Sequence, residues 1–136
     1  MTPLSPDALD EDFEAVTTSA PVLKGLFGDW PDGLTRENNL IDLAWHEREF
    51  TLRRSFSWIV RDGAAAYLGC VYLFPELGLR ERIRLVTWIR DMDRREERVA
   101  SLNAELRPWI AKVLPSGIIA TWKTNSPKDI ARLGEP

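Results

Sequence analysis

A chain of 136 residues, 44% hydrophobic and 29% charged, has the length of a single domain and enough apolar side chains for one hydrophobic core. Its formal charge of −3 and pI near 5.2 give no reason to expect nucleic acid or an anionic membrane as the main partner. One cysteine and one histidine rule out an intrachain disulfide and argue against a structural zinc site.

Pro3 and Pro6 predict an irregular lead-in over residues 1–7. Leu9, Phe13, Val16 and Ala20 then recur at helical spacing, which predicts a first helix over about 8–20; Pro21 either bends it or opens a short second helix to Leu26. Glycines 25, 28 and 33, with Asp29, Pro31 and Asp32, mark a turn-rich connection. Thr35 caps a helix predicted over about 36–54, with Leu40, Leu43, Ala44 and Phe50 as its apolar face, widened by Ile41 and Trp45. Glu37 near its start and Arg53 and Arg54 near its end suit the helix dipole.

The period then changes to two. Phe56, Trp58 and Val60 alternate with Ser57, Ile59 and Arg61, and Asp62-Gly63 supplies a tight turn. Tyr67 to Phe74 is apolar on both faces, as a central strand is, and Pro75 stops it; Cys70 within it reads as an inert buried thiol. After a polar connection over 76–81, Ile83, Leu85, Thr87 and Ile89 mark a third strand. Asp93 and Glu96 are spaced as a reciprocal cap. The stripe Val99, Leu102, Leu106, Trp109 or Ile110, and Val113 then defines a helix that Pro108 is expected to kink. Ile118–Trp122 is a short fourth strand, and the tail from Lys123, with Pro127, Gly134 and Pro136, is expected to be irregular or briefly helical. The short links predict an antiparallel meander, and the helical crossover predicts a parallel return. The expected fold class is α/β (α+β): a single domain over 1–136, with a mixed central sheet and helices on both faces.

Three stretches carry a family resemblance: Asp42-Leu43-Ala44-Trp45-His46-Glu47-Arg48-Glu49-Phe50, Phe56-Ser57-Trp58-Ile59-Val60, and Tyr67 through Pro75. Together they resemble the GCN5-related N-acetyltransferase superfamily, and within it a small bacterial branch, over about residues 9–122. The resemblance implies an acyl-CoA whose pantetheine hydrogen-bonds where strand 82–90 splays from its neighbour, and whose pyrophosphate lies on the loop 91–96. The implied cofactor-binding residues are Trp88, Ile89, Arg90, Met92, Arg94 and Arg95. The sequence departs from the family at this loop. Asp91-Met92-Asp93-Arg94-Arg95-Glu96 has no glycine, although glycine lets several amides turn inward around a bulky dianion. Arg94 and Arg95 are suited to phosphates, whereas Asp91, Asp93, Glu96 and Glu97 oppose them. Relatives add a helix and two strands after the position of Ile118–Trp122, so a C-terminally truncated domain is expected, its cleft completed by a partner subunit or its catalysis lost.

Amine acetylation needs a deprotonated nucleophile, a base within reach and a donor to polarise the carbonyl, but no covalent residue. Three candidates stand out. His46 lies on the flank of the helix that borders the acceptor site in the family; it reads more readily as a hydrogen-bonded packing histidine. Glu47 lies near the apolar face in helical projection, where a buried carboxylate needs an ion pair or a raised pKa. Glu76 follows the central strand at a position where the family sometimes places an acid, and reads otherwise as a solvated loop carboxylate. Glu49 resembles a recurrent acid of the branch, with a more exposed projection. Trp45, Trp58, Tyr72 and Trp88 are pocket or core residues, with Trp58 and Trp88 expected to approach each other across the sheet. Two functions remain open: acyl-CoA-dependent transfer to an amine of a small molecule or peptide, or a non-catalytic domain acting by self-association or protein binding. A homodimer is expected. With neither a basic leader followed by an apolar run nor an apolar stretch of spanning length, the expected location is the cytoplasm.

Overall fold

Strands with apolar residues on both faces must be covered on both sides, and the chain covers them with two unequal layers of helix. The computed structural model, which describes residues 1–126, runs β1 (Thr2–Pro3), a single three-ten turn (Pro6–Ala8), α1 (Leu9–Thr18), α2 (Ala20–Leu23), α3 (Arg36–Thr51), β2 (Phe56–Arg61), β3 (Tyr67–Pro75), β4 (Arg82–Ile89), α4 (Arg95–Val113) and β5 (Ile119–Thr124). The sheet has the order β1-β2-β3-β4-β5, antiparallel except for the parallel β4–β5 pair. The meander and parallel return therefore form as the connection lengths require. Pro127 and the rest of the expected irregular tail lie outside the described residues, while Lys123 and Thr124 belong to β5.

Side-chain alternation sorts the core into two halves. Ile59, Tyr67, Cys70, Tyr72, Val86 and Trp88 pack against α1, α2 and the segment that follows them. Leu68, Val71, Leu85 and Ile89 pack against Val99, Leu102, Leu106 and Ile110 of α4. Cys70 is buried, and burial pushes its thiol well above the ordinary range, as expected of an inert cysteine. Gly69 is required by contact rather than by conformation. A Cβ there would lie 1.9 Å from the Trp88 carbonyl oxygen, so only a residue without one lets β3 and β4 approach.

Several local expectations are corrected. Thr2–Pro3 is a short edge strand paired with Ile59 and Trp58, where a proline needs no ladder donor. Trp58 and Trp88 lie on opposite faces: register puts Trp58 with Val71 and Trp88 with Cys70, one residue out of phase. Asp93 does not cap α4. Arg94 holds the N-cap in the left-handed conformation (φ 58°, ψ 32°) and makes no side-chain capping bond. The helix continues through Pro108 to Val113.

The α3 face differs most. Thr35 caps it as expected, accepting from the Asn38 amide at 3.1 Å. Its buried residues, however, are Asn39, Leu43, His46 and Glu49, whereas Leu40, Ile41 and Trp45 are exposed. A polar stripe packs inward because each of its members finds a partner there. Asn39 donates to Asp12 at 2.9 Å, His46 bonds Ser57 at 2.9 Å, and Glu49 receives Arg54.

Candidate functional site

Asp42, Trp45, His46 and Glu49 of α3 form one wall of a cleft of about 1110 Å³. The 27–30 segment, the end of β3 and Arg84 of β4 complete it. Rings from Phe27, Trp30, Trp45, Tyr72 and Phe74 line it. Phe27 meets Trp30 and Tyr72 edge-on, at 5.6 and 5.4 Å between centroids, while Tyr72 and Phe74 stack nearly parallel at 5.6 Å. The Arg84 guanidinium lies over the Phe74 ring, 6.0 Å from its centroid.

His46 stands in this wall, and its two nitrogens have different neighbours. Nδ1 is 2.9 Å from the buried Ser57 hydroxyl, and Nε2 is 3.4 Å from Asp42 Oδ2, one helical turn earlier. The tautomer sets the roles: with Nε2–H directed at Asp42, Nδ1 accepts from the Ser57 hydroxyl, and with Nδ1–H donated to Ser57, Nε2 carries the lone pair. Glu76 also lines the cleft; it is half-buried and accepts from Thr121 of β5 at 3.3 Å. Glu47 is exposed and does not line the cleft, which corrects the expectation drawn from its helical projection: α3 is rotated so that Glu49 faces inward instead. Arg54 bonds Glu49 through Nε at 2.9 Å and Nη2 at 2.5 Å, and holds its carboxyl below the ordinary value.

Behind the cleft lies a buried polar group, centred on Asp12, that sequence reasoning missed. Asp12 of α1 is 4% exposed and accepts from the Tyr67 hydroxyl at 2.5 Å and from Asn39. Burial pushes its carboxyl up, and these two donors pull it partway back. Tyr67 also contacts Cys70 at 3.0 Å, and Trp88 donates to the Tyr72 hydroxyl at 3.0 Å. Its one legible signal was an aspartate inside an otherwise apolar helical stripe.

The residues implied to hold acyl-CoA lie at the other end of β4. Trp88 and Ile89 are buried. Arg90 pairs with Glu14 at 2.7 Å, Arg94 with Glu97 at 2.5 Å, and Arg95 donates to the Asn125 carbonyl at 2.5 Å. Met92 is half-buried against the α4 core. Backbone pairing between β4 and β5 stops two residues before the end of β4. Pairing runs from Arg82–Ile119 to Thr87–Thr124, and the Asn125 carboxamide then donates to the Ile89 carbonyl at 2.8 Å and accepts its amide at 3.2 Å. Sequence reasoning missed Asn125 because nothing local distinguishes it from a loop asparagine.

Among the described residues, no group of His, Cys, Asp and Glu has the arrangement of a metal site, and no helix is long and apolar enough to cross a membrane.

No family profile matches the sequence, and no curated protein matches it. Solved structures do. The chain is similar to a proposed ribosomal-protein-serine acetyltransferase from Vibrio cholerae, at 14% identity and a TM-score of 0.58, over 83% of this chain and 71% of that one. It is also similar to a ribosomal-protein-alanine N-acetyltransferase from Brucella melitensis biovar Abortus 2308, at 17% identity and a TM-score of 0.54, over 96% of this chain and 84% of that one. At such identities the likeness is one of fold: the chain has the fold of the GCN5-related N-acetyltransferases, as the sequence resemblance implied.

Proposed function

We propose that the chain is an acyl-CoA-dependent N-acyltransferase whose aromatic cleft receives the amine of a small molecule or peptide. The observation that carries this reading is His46, held by Ser57 with Nε2 toward Asp42 in the wall of a large cleft on the acetyltransferase fold. Amines are protonated near neutral pH, so a proton must leave before the nitrogen attacks. His46 Nε2 takes that proton and becomes an imidazolium beside Asp42, while Ser57 keeps the ring from turning. Glu76 contributes negative charge that draws the ammonium form into the cleft.

The far end of β4 is chemically suited to the acyl carrier. A carboxamide from Asn125 already sits on the Ile89 N–H and C=O, so that edge accepts an amide group, and an amide of the carrier replaces it. Arg94, Arg95 and the amides at the start of α4 are the groups suited to its phosphates, Arg94 by leaving Glu97 and Arg95 by leaving the Asn125 carbonyl. When bound, the carrier would supply an acyl group activated as a thioester: the amine nitrogen would form the new C–N bond as the C–S bond breaks, and the thiolate leaving group would take the nitrogen's remaining proton and depart as free thiol.

Calorimetric titration of the ligand-free protein with acetyl-CoA, and with CoA in parallel, tests the reading. Saturable stoichiometric binding is expected. Absence of heat at two temperatures, with the protein folded, overturns it.

One observation favours a second reading, that of a non-catalytic domain: the β4–β5 seam is closed, and Asn125 and Arg95 latch its end. Such a domain would self-associate through exposed apolar side chains, among them Trp45 and Leu77 at the cleft. Sedimentation equilibrium then gives a dimer that Trp45→Glu converts to monomer.

A further inference from the structure

Asp12 does not line the cleft, yet it is bonded to both elements that form its main walls. Oδ1 accepts from the Tyr67 hydroxyl of β3 at 2.5 Å, and Oδ2 accepts from the Asn39 carboxamide of α3 at 2.9 Å. From β3 come Tyr72 and Phe74 of the cleft, and from α3 come Asp42, His46 and Glu49. The two walls meet where the His46 and Tyr72 rings lie 5.5 Å apart between centroids.

The orientation of α3 needs such a tie, because its apolar side chains favour another. Leu40, Ile41, Ala44 and Trp45 are exposed, while Asn39, His46 and Glu49 are buried. At about 100° per residue, Leu40 and His46 are about 120° apart around the helix. A rotation that buries Leu40 and Ala44 therefore turns His46 out of the wall. The bonds that oppose this rotation differ in reach. Arg54 lies just past the end of α3, so its pair with Glu49 follows the helix rather than orienting it. Arg36 pairs with Asp10, but both are exposed, and such pairs contribute little. The bond between Asp12 and Asn39 joins residues 27 apart in sequence, 4% and 1% exposed. Its loss strands polar groups in the interior, which makes it a strong constraint on orientation.

We propose that Asp12 is a positioning residue: through Asn39 it fixes the rotation of α3 and so holds His46 against Tyr72 in the cleft wall. As a lock on the helix it stands without the transfer reading; as a determinant of proton removal from an amine it rests on that reading.

His46 is the only histidine of the chain, so a single imidazole signal reports its place. Its proton resonance is shifted by the neighbouring rings of Trp45 and Tyr72, and its rate of modification by diethylpyrocarbonate reports its access to solvent. Asp12→Ala and Asn39→Ala are each expected to move the resonance toward that of free histidine. Each should also raise the modification rate at least about fivefold, with the double variant going no further than either. Asp12→Asn is expected to keep wild-type values, because a carboxamide accepts from Asn39 and donates to the Tyr67 oxygen. Val99→Ala, in the other half of the core, lowers Tm and should leave His46 in place, which sets the baseline for a merely structural loss. His46 unmoved in both alanine variants, moved as far by Val99→Ala, or moved additively in the double variant overturns the proposal. Should one alanine variant fail to fold, the other decides. Where an amine is acylated, Asn39→Ala is expected to lower kcat at least about fivefold while KM for acetyl-CoA holds. Displacement of His46 in a protein that acylates no amine keeps the lock and rejects the transfer reading. Acylation with His46 unmoved in both alanine variants does the reverse.

Discussion

The two ends of β4 are built in opposite ways. At its start, where Arg84 meets the cleft, Ser55 Oγ has no hydrogen-bond partner, and Asp42 and Glu76 have no guanidinium or ammonium partner, among the described residues. At its end, Asn125 saturates Ile89, Arg95 saturates Asn125, Glu97 takes Arg94, Glu14 takes Arg90, and the Asp91 amide bonds Ser19 at 2.9 Å. A group already paired must first exchange that partner, so a ligand there competes with the fold. The contrast teaches that the cleft is open as it stands, whereas a ligand at the β4–β5 seam enters only by displacing bonds the fold already makes.

Breaking the divide between the two ends should have the largest effect. Gly69 lets β3 lie against the Trp88 carbonyl, and Gly69→Val forces apart the strands that separate cleft from seam. The expected loss is about 3 kcal/mol or more in urea unfolding, with the cleft and the seam lost together. Retention of stability would mean that the two ends are not held by this approach.

Asp12 tests the support behind the cleft. Asp12→Ala leaves the buried Tyr67 hydroxyl and Asn39 amide each without an acceptor, an expected cost of about 2–3 kcal/mol by chemical denaturation. Its titration has a definite sign. The folded carboxyl is raised above its ordinary 3.8, so the folded state binds the proton more tightly than the unfolded state does. The stability this contributes is fully present below 3.8 and is lost as pH rises through the raised value. The stability difference between wild type and Asp12→Asn should therefore move against wild type as pH rises through that window. Glu11 and Glu49, both lowered by arginine partners, act in the opposite direction but are common to both proteins and cancel.

Asn125→Ala is the smallest and most discriminating change. Removing the carboxamide should cost about 1–2 kcal/mol of stability, because two hydrogen bonds to Ile89 are lost at the mouth of the seam. If the seam holds an acyl carrier, the same substitution raises acetyl-CoA affinity in calorimetry, since no internal amide competes. Unchanged absence of binding in this variant would favour the non-catalytic reading.

Much of this was legible in the chain. Period-two alternation placed the three central strands, Pro75 ended one of them, Thr35 opened α3, and connection lengths fixed the antiparallel meander and its parallel return. These features depend on residues close in sequence, whose spacing and backbone preferences act before any tertiary contact forms. His46 and Glu76, candidates through the family resemblance, both line the cleft. The rotation of α3 was not legible. Leu40, Ile41 and Trp45 look like its buried face, yet Asn39, His46 and Glu49 go inside because Asp12, Ser57 and Arg54, from other parts of the chain, satisfy them. The same holds for Asn125, whose role exists only because β5 returns beside Ile89, and for Ser55, whose lack of a partner is a property of its surroundings. Sequence alone determined which elements form and in what order. Tertiary structure decided which polar groups are matched and which are left open, because a buried hydrogen bond is made by two residues and one strand of text shows only one of them at a time.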